Sequence, residues 1–176
     1  MDDLDPIEDK TITVTLEWYE LFQAISVGGR RRVESMRRGG QAAHGYIDDN
    51  GWTKDIEAAG AELAFSKATN QYYSGSVNTF KAADVGDRWQ VRWTPNTDGR
   101  LIVRPSADDS DRYVLVTGKA PVYSVIGWIT AKAAKRVSWW SAPNNRPGAY
   151  FVPQSALHSC QELLDTADDA SLCPLA

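Results

Sequence analysis

Within residues 81–94 a carboxylate, an amide and a guanidinium stand close enough in the chain to share one surface. Asp84 precedes a turn containing Gly86, and the strand-like run that follows carries Gln90 and Arg92 two residues apart. Side chains alternate across a strand, so Gln90 and Arg92 are predicted on one face, with Val91 and Trp93 on the other. An acid, a second oxygen ligand and a cation would meet there. Upstream, residues 52–69 predict a helix rich in small residues, Ala58-Ala59-Gly60-Ala61, whose backbone can lie close to a sheet. Glu62 shares a stripe of that helix with Ala59 and Ser66. An acid on a buried stripe requires a partner, which a metal ion would provide and so would an arginine.

The pattern Asp84-x5-Gln90-x-Arg92 resembles the core of the PD-(D/E)xK nuclease superfamily, the restriction-endonuclease-like fold. The resemblance extends over residues 50–157: the helix with Glu62 looks like the family's first core helix, which often carries an additional metal-binding Glu. Residues 113–118 and 123–129 look like the next core strands, as in small phage and prophage proteins of this type. It implies an α/β fold with a single mixed sheet flanked by helices. It also implies a metal-dependent nuclease acting on DNA, with Asp84, Gln90 and Arg92 as the catalytic set and Glu62, Asp84 and Gln90 around magnesium or manganese.

Phosphodiester hydrolysis uses a metal to activate water and to offset charge developing on the phosphate. Magnesium prefers hard oxygen ligands, keeps several waters and takes one or two carboxylates from a protein. Two departures from the family's pattern bear on this. Gln90 stands where the family has a second acid, which removes a negative charge near the metal. Arg92 stands where it has Lys, and a guanidinium stays charged at any working pH, so it clamps a phosphate but takes no proton. The alternative reading is therefore a nuclease-fold accessory protein without catalysis, which grips nucleic acid or a host protein. Asp87, in the turn, is expected to be exposed.

The elements that must position these groups follow from pattern. Val14, Trp18, Leu21, Phe22 and Ile25 fall at helical spacing and predict an amphipathic helix with those residues toward the core. Gly28 and Gly29 weaken that helix by roughly 1 kcal/mol each, while Val33 and Met36 keep its period. Arg30, Arg31, Arg32, Arg37 and Arg38 put five arginines in nine positions, a candidate phosphate contact or a solvated face. Residues 39–51 read as a loop in which His44 has no partner at metal-ligand spacing. Residues 95–99 read as a hairpin turn, and Leu101-Ile102-Val103 as a strand covered on both faces. Residues 113–117 and 123–129 read as strands and 130–140 as a short helix with Lys132, Lys135 and Arg136 outward, further candidates for phosphate contact. Residues 149–153 read as an edge strand. Trp139 and Trp140 could stack on bases, though packing is the commoner use of such aromatics.

A chain of 176 residues is long enough for one domain with its own core. We expect that domain over residues 11–164, between mobile acidic tails at 1–10 and 165–176. The net charge of -4 hides an uneven distribution. Without the five acids and one Lys of residues 1–10 and the four acids of 161–176, 18 basic residues remain against 14 acidic, a mildly basic body compatible with phosphate binding. Cys160 and Cys173 lack the spacing of a metal knuckle and are read as ordinary thiols. The absence of an apolar run of spanning length and the acidic N-terminus lead us to expect a cytoplasmic protein that does not enter the membrane.

Overall fold

The computed structural model describes residues 11–38, 50–77, 82–143 and 146–161. His44, Cys173 and both acidic tails lie outside the described residues. Strand β1 (Ile12–Thr15) leads into helix α1 (Trp18–Arg37), and helix α2 (Gly51–Thr69) follows. Then come β2 (Trp89–Thr94), β3 (Leu101–Val103), β4 (Arg112–Lys119), β5 (Val122–Thr130), the single-turn α3 (Ala131–Ala134), β6 (Trp140–Ser141) and β7 (Ala149–Val152).

The main sheet is mixed, in the order β1-β5-β4-β2. β4 and β5 form an antiparallel hairpin, β1 adds antiparallel to β5, and β2 adds parallel to β4 along one edge. The chain is thus α/β, as expected, but it holds a second sheet of three short strands, β3-β7-β6, that pattern alone did not reveal. The two faces of the main sheet are covered differently. On one, Val14, Val91, Val114, Val116, Tyr123 and Val125 pack with Ala59, Ala61, Ala64 and Phe65 of α2. On the other, Tyr113, Leu115 and Ile129 pack with Leu101, Val103 and Val152 of the small sheet. The result is three layers: a helix pair, a mixed sheet and a small sheet.

Small residues set the spacing of the helical layer. A Cβ on Gly28 would stand 2.5 Å from the Cα of Ile56, so α1 and α2 touch backbone to backbone there. Gly60 likewise receives the hydroxyl of Tyr123. That hydroxyl donates to Glu57 at 2.8 Å, tying α2 to the β4–β5 hairpin. Two ion pairs clip the helices and their surroundings together, Arg32–Asp55 at 2.8 Å and Lys67–Glu20 at 2.7 Å.

Several expectations are corrected. Val14 belongs to a strand, and the helix starts four residues later because Glu17 and Glu20 form a reciprocal capping box. Of the face of α1 predicted to meet the core, Leu21 packs against it as expected, but Trp18, Phe22 and Ile25 are exposed, whereas Ala24, Val27 and Gly28 are buried. Close helix packing selects the slender stripe for the interior and leaves no room for the bulky one. Ile102 is exposed, because β3 belongs to the small outer sheet. The helix expected over 130–140 stops after one turn at Ala134, and a 3-10 turn, Val137–Trp139, takes its place.

Candidate functional site

Glu62 sits in the middle of α2 and is only 5% exposed. Its partner is an arginine: Arg31 of α1 donates through both terminal nitrogens, Nη1 to Oε1 at 2.6 Å and Nη2 to Oε2 at 2.8 Å. The Nε of Arg31 donates to the Ser76 carbonyl at 3.1 Å, which fixes the fork from behind. Burial pushes the Glu62 carboxyl above the usual range, opposed by the Arg31 bond and reinforced by the nearby negative charge of Asp84. Burial also works against the Arg31 charge, but the bond and charge of Glu62 outweigh it and the guanidinium is held more firmly protonated than usual. Tyr73, buried beside this pair, has its hydroxyl pushed up by burial and by the Glu62 charge.

Asp84 lies just outside the edge strand β2. The backbone turns back on itself there, Asp84 N–H donating to the Trp89 carbonyl at 2.8 Å. The Asp84 carboxylate then accepts from the Val91 N–H at 2.8 Å, covering an amide that an edge strand would leave unpaired. Arg92 reaches the same oxygen at 3.4 Å and also donates to the Val91 carbonyl at 2.9 Å. Burial raises the Asp84 carboxyl, while Arg92, the Val91 amide and Arg31 all act to lower it. Asp84 and Glu62 therefore share one electrostatic neighbourhood, with Arg31 acting on both.

The strand divides the remaining two residues from Glu62. Val91 and Trp89 face the helices, so Gln90 and Arg92 face the opposite side, in register with Tyr113 and Leu115 of β4. Arg92 stacks over the Tyr113 ring at 4.9 Å. Gln90 donates to the Ala82 carbonyl at 3.3 Å. The four residues predicted to meet thus split: Asp84 stands at the edge, touching Arg92 on one side and sensing Glu62 on the other, and Gln90 is on the face away from Glu62.

These donors do not fit a magnesium site as they stand. Both oxygens of Glu62 are occupied by Arg31, one oxygen of Asp84 is taken by Val91 and Arg92, and Gln90 lies across the strand. Among the described residues, no cluster of three or more His, Cys, Asp or Glu is arranged to hold a metal ion. Asp87 is exposed, as expected.

The predicted phosphate contacts are mostly engaged with the protein itself. Arg31 holds Glu62, Arg32 holds Asp55, Arg37 pairs with Glu34 at 2.7 Å, and Lys135 pairs with Asp109 at 2.7 Å. Arg136 lies over Trp139 at 4.7 Å. Arg30, Arg38 and Lys132 are exposed.

Sequence reasoning named Arg92 as a phosphate clamp but passed over the cations near it, Arg100, Arg104 and Arg146. Against the small sheet runs a groove of about 480 Å³ lined by Arg92, Trp93, Asn96, Arg100, Ile102 and Phe151 among others. Across Arg100 and Phe151 it continues into a recess of about 280 Å³ lined by Ser138, Trp139, Trp140 and Pro143. A third hollow beyond Phe151 adds Arg104 and Arg146. Trp140 is 46% exposed and packs edge-on against Tyr150 at 5.1 Å. Among the described residues neither Arg100 nor Arg104 has an ion-pair partner. The three hollows bring four guanidinium groups and the rings of Trp139, Trp140 and Phe151 to one surface, with Asp98 as an acid in its lining. No family model matches this chain, and no curated protein or solved structure matches it. Among the described residues no helix is long and apolar enough to cross a membrane.

Proposed function

We propose that this chain binds nucleic acid, single-stranded DNA in particular, without hydrolysing it, on a scaffold of restriction-endonuclease-like type. The observation that carries the reading is the surface around Phe151. Arg92, Arg100, Arg104 and Arg146 line it, together with Trp139, Trp140 and Phe151. Cations that follow a phosphate backbone, set between rings on which bases stack, are the chemistry of single-strand binding, and each stacked base is worth about 1–3 kcal/mol. Arginine suits this role because its planar fork pairs with phosphate and stacks as well. The state of the acid pair favours binding over cutting, since Glu62 is clasped by Arg31 and Arg92 cannot serve as a base.

A metal-dependent nuclease is the second reading. It draws support from the shared electrostatic neighbourhood of Glu62 and Asp84, and it requires Arg31 to leave Glu62. One experiment separates the two. Fluorescent single-stranded and duplex DNA are incubated with the protein in magnesium, manganese or chelator, and scored for anisotropy and for cleavage. Binding is expected in all three conditions, preferring single strands, weakening with salt and lost in the Arg100→Ala/Arg104→Ala variant. Metal-dependent cleavage abolished by Asp84→Ala would establish the nuclease instead. Intact DNA with no binding would refute both readings.

A further inference from the structure

Helix α1 presents to solvent a stripe that ordinary soluble helices turn inward. Trp18, Phe22, Ile25, Val33 and Met36 are between 46% and 70% exposed. At 100° per residue they lie, with Gly29, within less than a quarter-turn of one another, so they form one continuous strip about 27 Å long. Tyr19 flanks it, and Trp52 of α2, itself 48% exposed, extends it beside Gly29. The exposed parts of these side chains amount to about 800 Å², against roughly 300–600 Å² for the largest apolar patch of a typical monomer. That is the area each partner contributes to a standard protein interface.

We infer that this strip is where two copies of the chain pair, with their α1 helices antiparallel. A two-fold interface needs a surface complementary to itself, and this strip has that property in both shape and charge. Its N-terminal half carries the bulky rings Trp18 and Phe22, and its C-terminal half the slimmer Val33 and Met36 with Gly29 between. Reversing one helix about Val27 sets Trp18 against Met36, Phe22 near Val33, and Ile25 against Gly29, where the missing side chain lets the helices approach. The same reversal brings the acidic N-terminal end of one copy, with Glu17 and Glu20, level with the basic C-terminal end of the other, with Arg37 and Arg38. A parallel pair would bring acidic end level with acidic end and basic end level with basic end. The antiparallel arrangement also opposes the two helix dipoles favourably. This pairing leaves the surface around Phe151 free, because that surface lies on the far side of the main sheet from the helices.

The full chain at tens of micromolar, run by light scattering and sedimentation, is expected at twice its 19.5 kDa mass. Phe22→Glu and Ile25→Glu, both at exposed positions, should leave circular dichroism unchanged, weaken the dimer by about 30-fold or more and remove the concentration dependence of melting. Orientation is read in a Cys173→Ser background. Trp18→Cys mixed with Met36→Cys should form a disulfide-linked dimer, whereas Trp18→Cys alone should not. A monomer at these concentrations overturns the proposal, whether the strip is then covered by another segment of the chain, by a different protein or by a lipid surface. So does a dimer that survives Phe22→Glu, and so does a Trp18→Cys chain that cross-links to itself.

Discussion

Replacing Arg31 with Met removes both bonds that hold Glu62, leaving a carboxylate that is 5% exposed with no fork opposite it. Breaking a buried pair from one side costs about 3–5 kcal/mol, because the surviving charge must be neutralised or moved to water. For a chain of this size each kcal/mol moves the melting temperature by roughly 2–4 °C, so Arg31→Met should melt about 10 °C lower. Glu62→Met is expected to cost less, about 2 kcal/mol, since the Arg31 side chain is 21% exposed and keeps its bond to Ser76. The double variant should return to within about 1 kcal/mol of the parent, because an apolar pair of similar volume replaces an ion pair whose desolvation nearly offset its attraction. The assay is urea unfolding of all four proteins, combined as a double-mutant cycle. A coupling of at least about 2 kcal/mol is expected. Additive single effects, or an Arg31→Met cost below about 1 kcal/mol, would refute the reasoning, since either means that Arg31 does not sustain the buried acid.

Three further outcomes follow from the packing and the titrating groups. Gly28→Ala places a methyl 2.5 Å from the Ile56 Cα, where no side chain can yield, so a loss of about 3 kcal/mol is expected by urea unfolding against a near-neutral Gly29→Ala. Burial raises the folded Asp84 carboxyl, so its stabilising contribution is complete below the unfolded carboxyl's range and lost as pH rises through the folded value. The parent should therefore lose stability relative to Asp84→Asn as pH rises above the unfolded carboxyl's range, and a trend of opposite sign would mean that Arg92 and the Val91 amide outweigh burial. Burial pushes the Cys160 thiol up to about 12. In a Cys173→Ser chain it should resist alkylation at pH 8 until urea unfolds the protein, as followed by mass spectrometry.

Much of the architecture was legible because its signals are local. The helix 52–69 and the strands 113–117 and 123–129 fell within two residues of their observed bounds, since each carries its own period and breakers. The α1 orientation was not legible by the usual rule. Its bulky stripe has the stronger hydrophobic signal, yet Ala24, Val27, Gly28 and Arg31, at i, i+3, i+4 and i+7, face inward because α2 presents an equally slender surface. That second stripe was also the missed clue to the site: it carries Arg31 at the position from which an arginine meets Glu62. The requirement that Glu62 have a partner was readable from its neighbours, and the choice between metal and arginine was not. The separation of Gln90 and Arg92 from Glu62 depends on the sheet order, which places β2 at an edge with the helices on one face only. The groove around Phe151 joins residues from 92 to 151 across two sheets, and the second sheet was the element that pattern failed to show.

An arginine, and not a metal, satisfies the acid in α2. Manganese titrated into the protein and followed by electron paramagnetic resonance tests it directly. The prediction is that free manganese remains at its added concentration through the millimolar range, with no saturable site, in the parent and in Asp84→Ala alike. One tightly held manganese per chain, lost in Asp84→Ala and in Glu62→Gln, would contradict it.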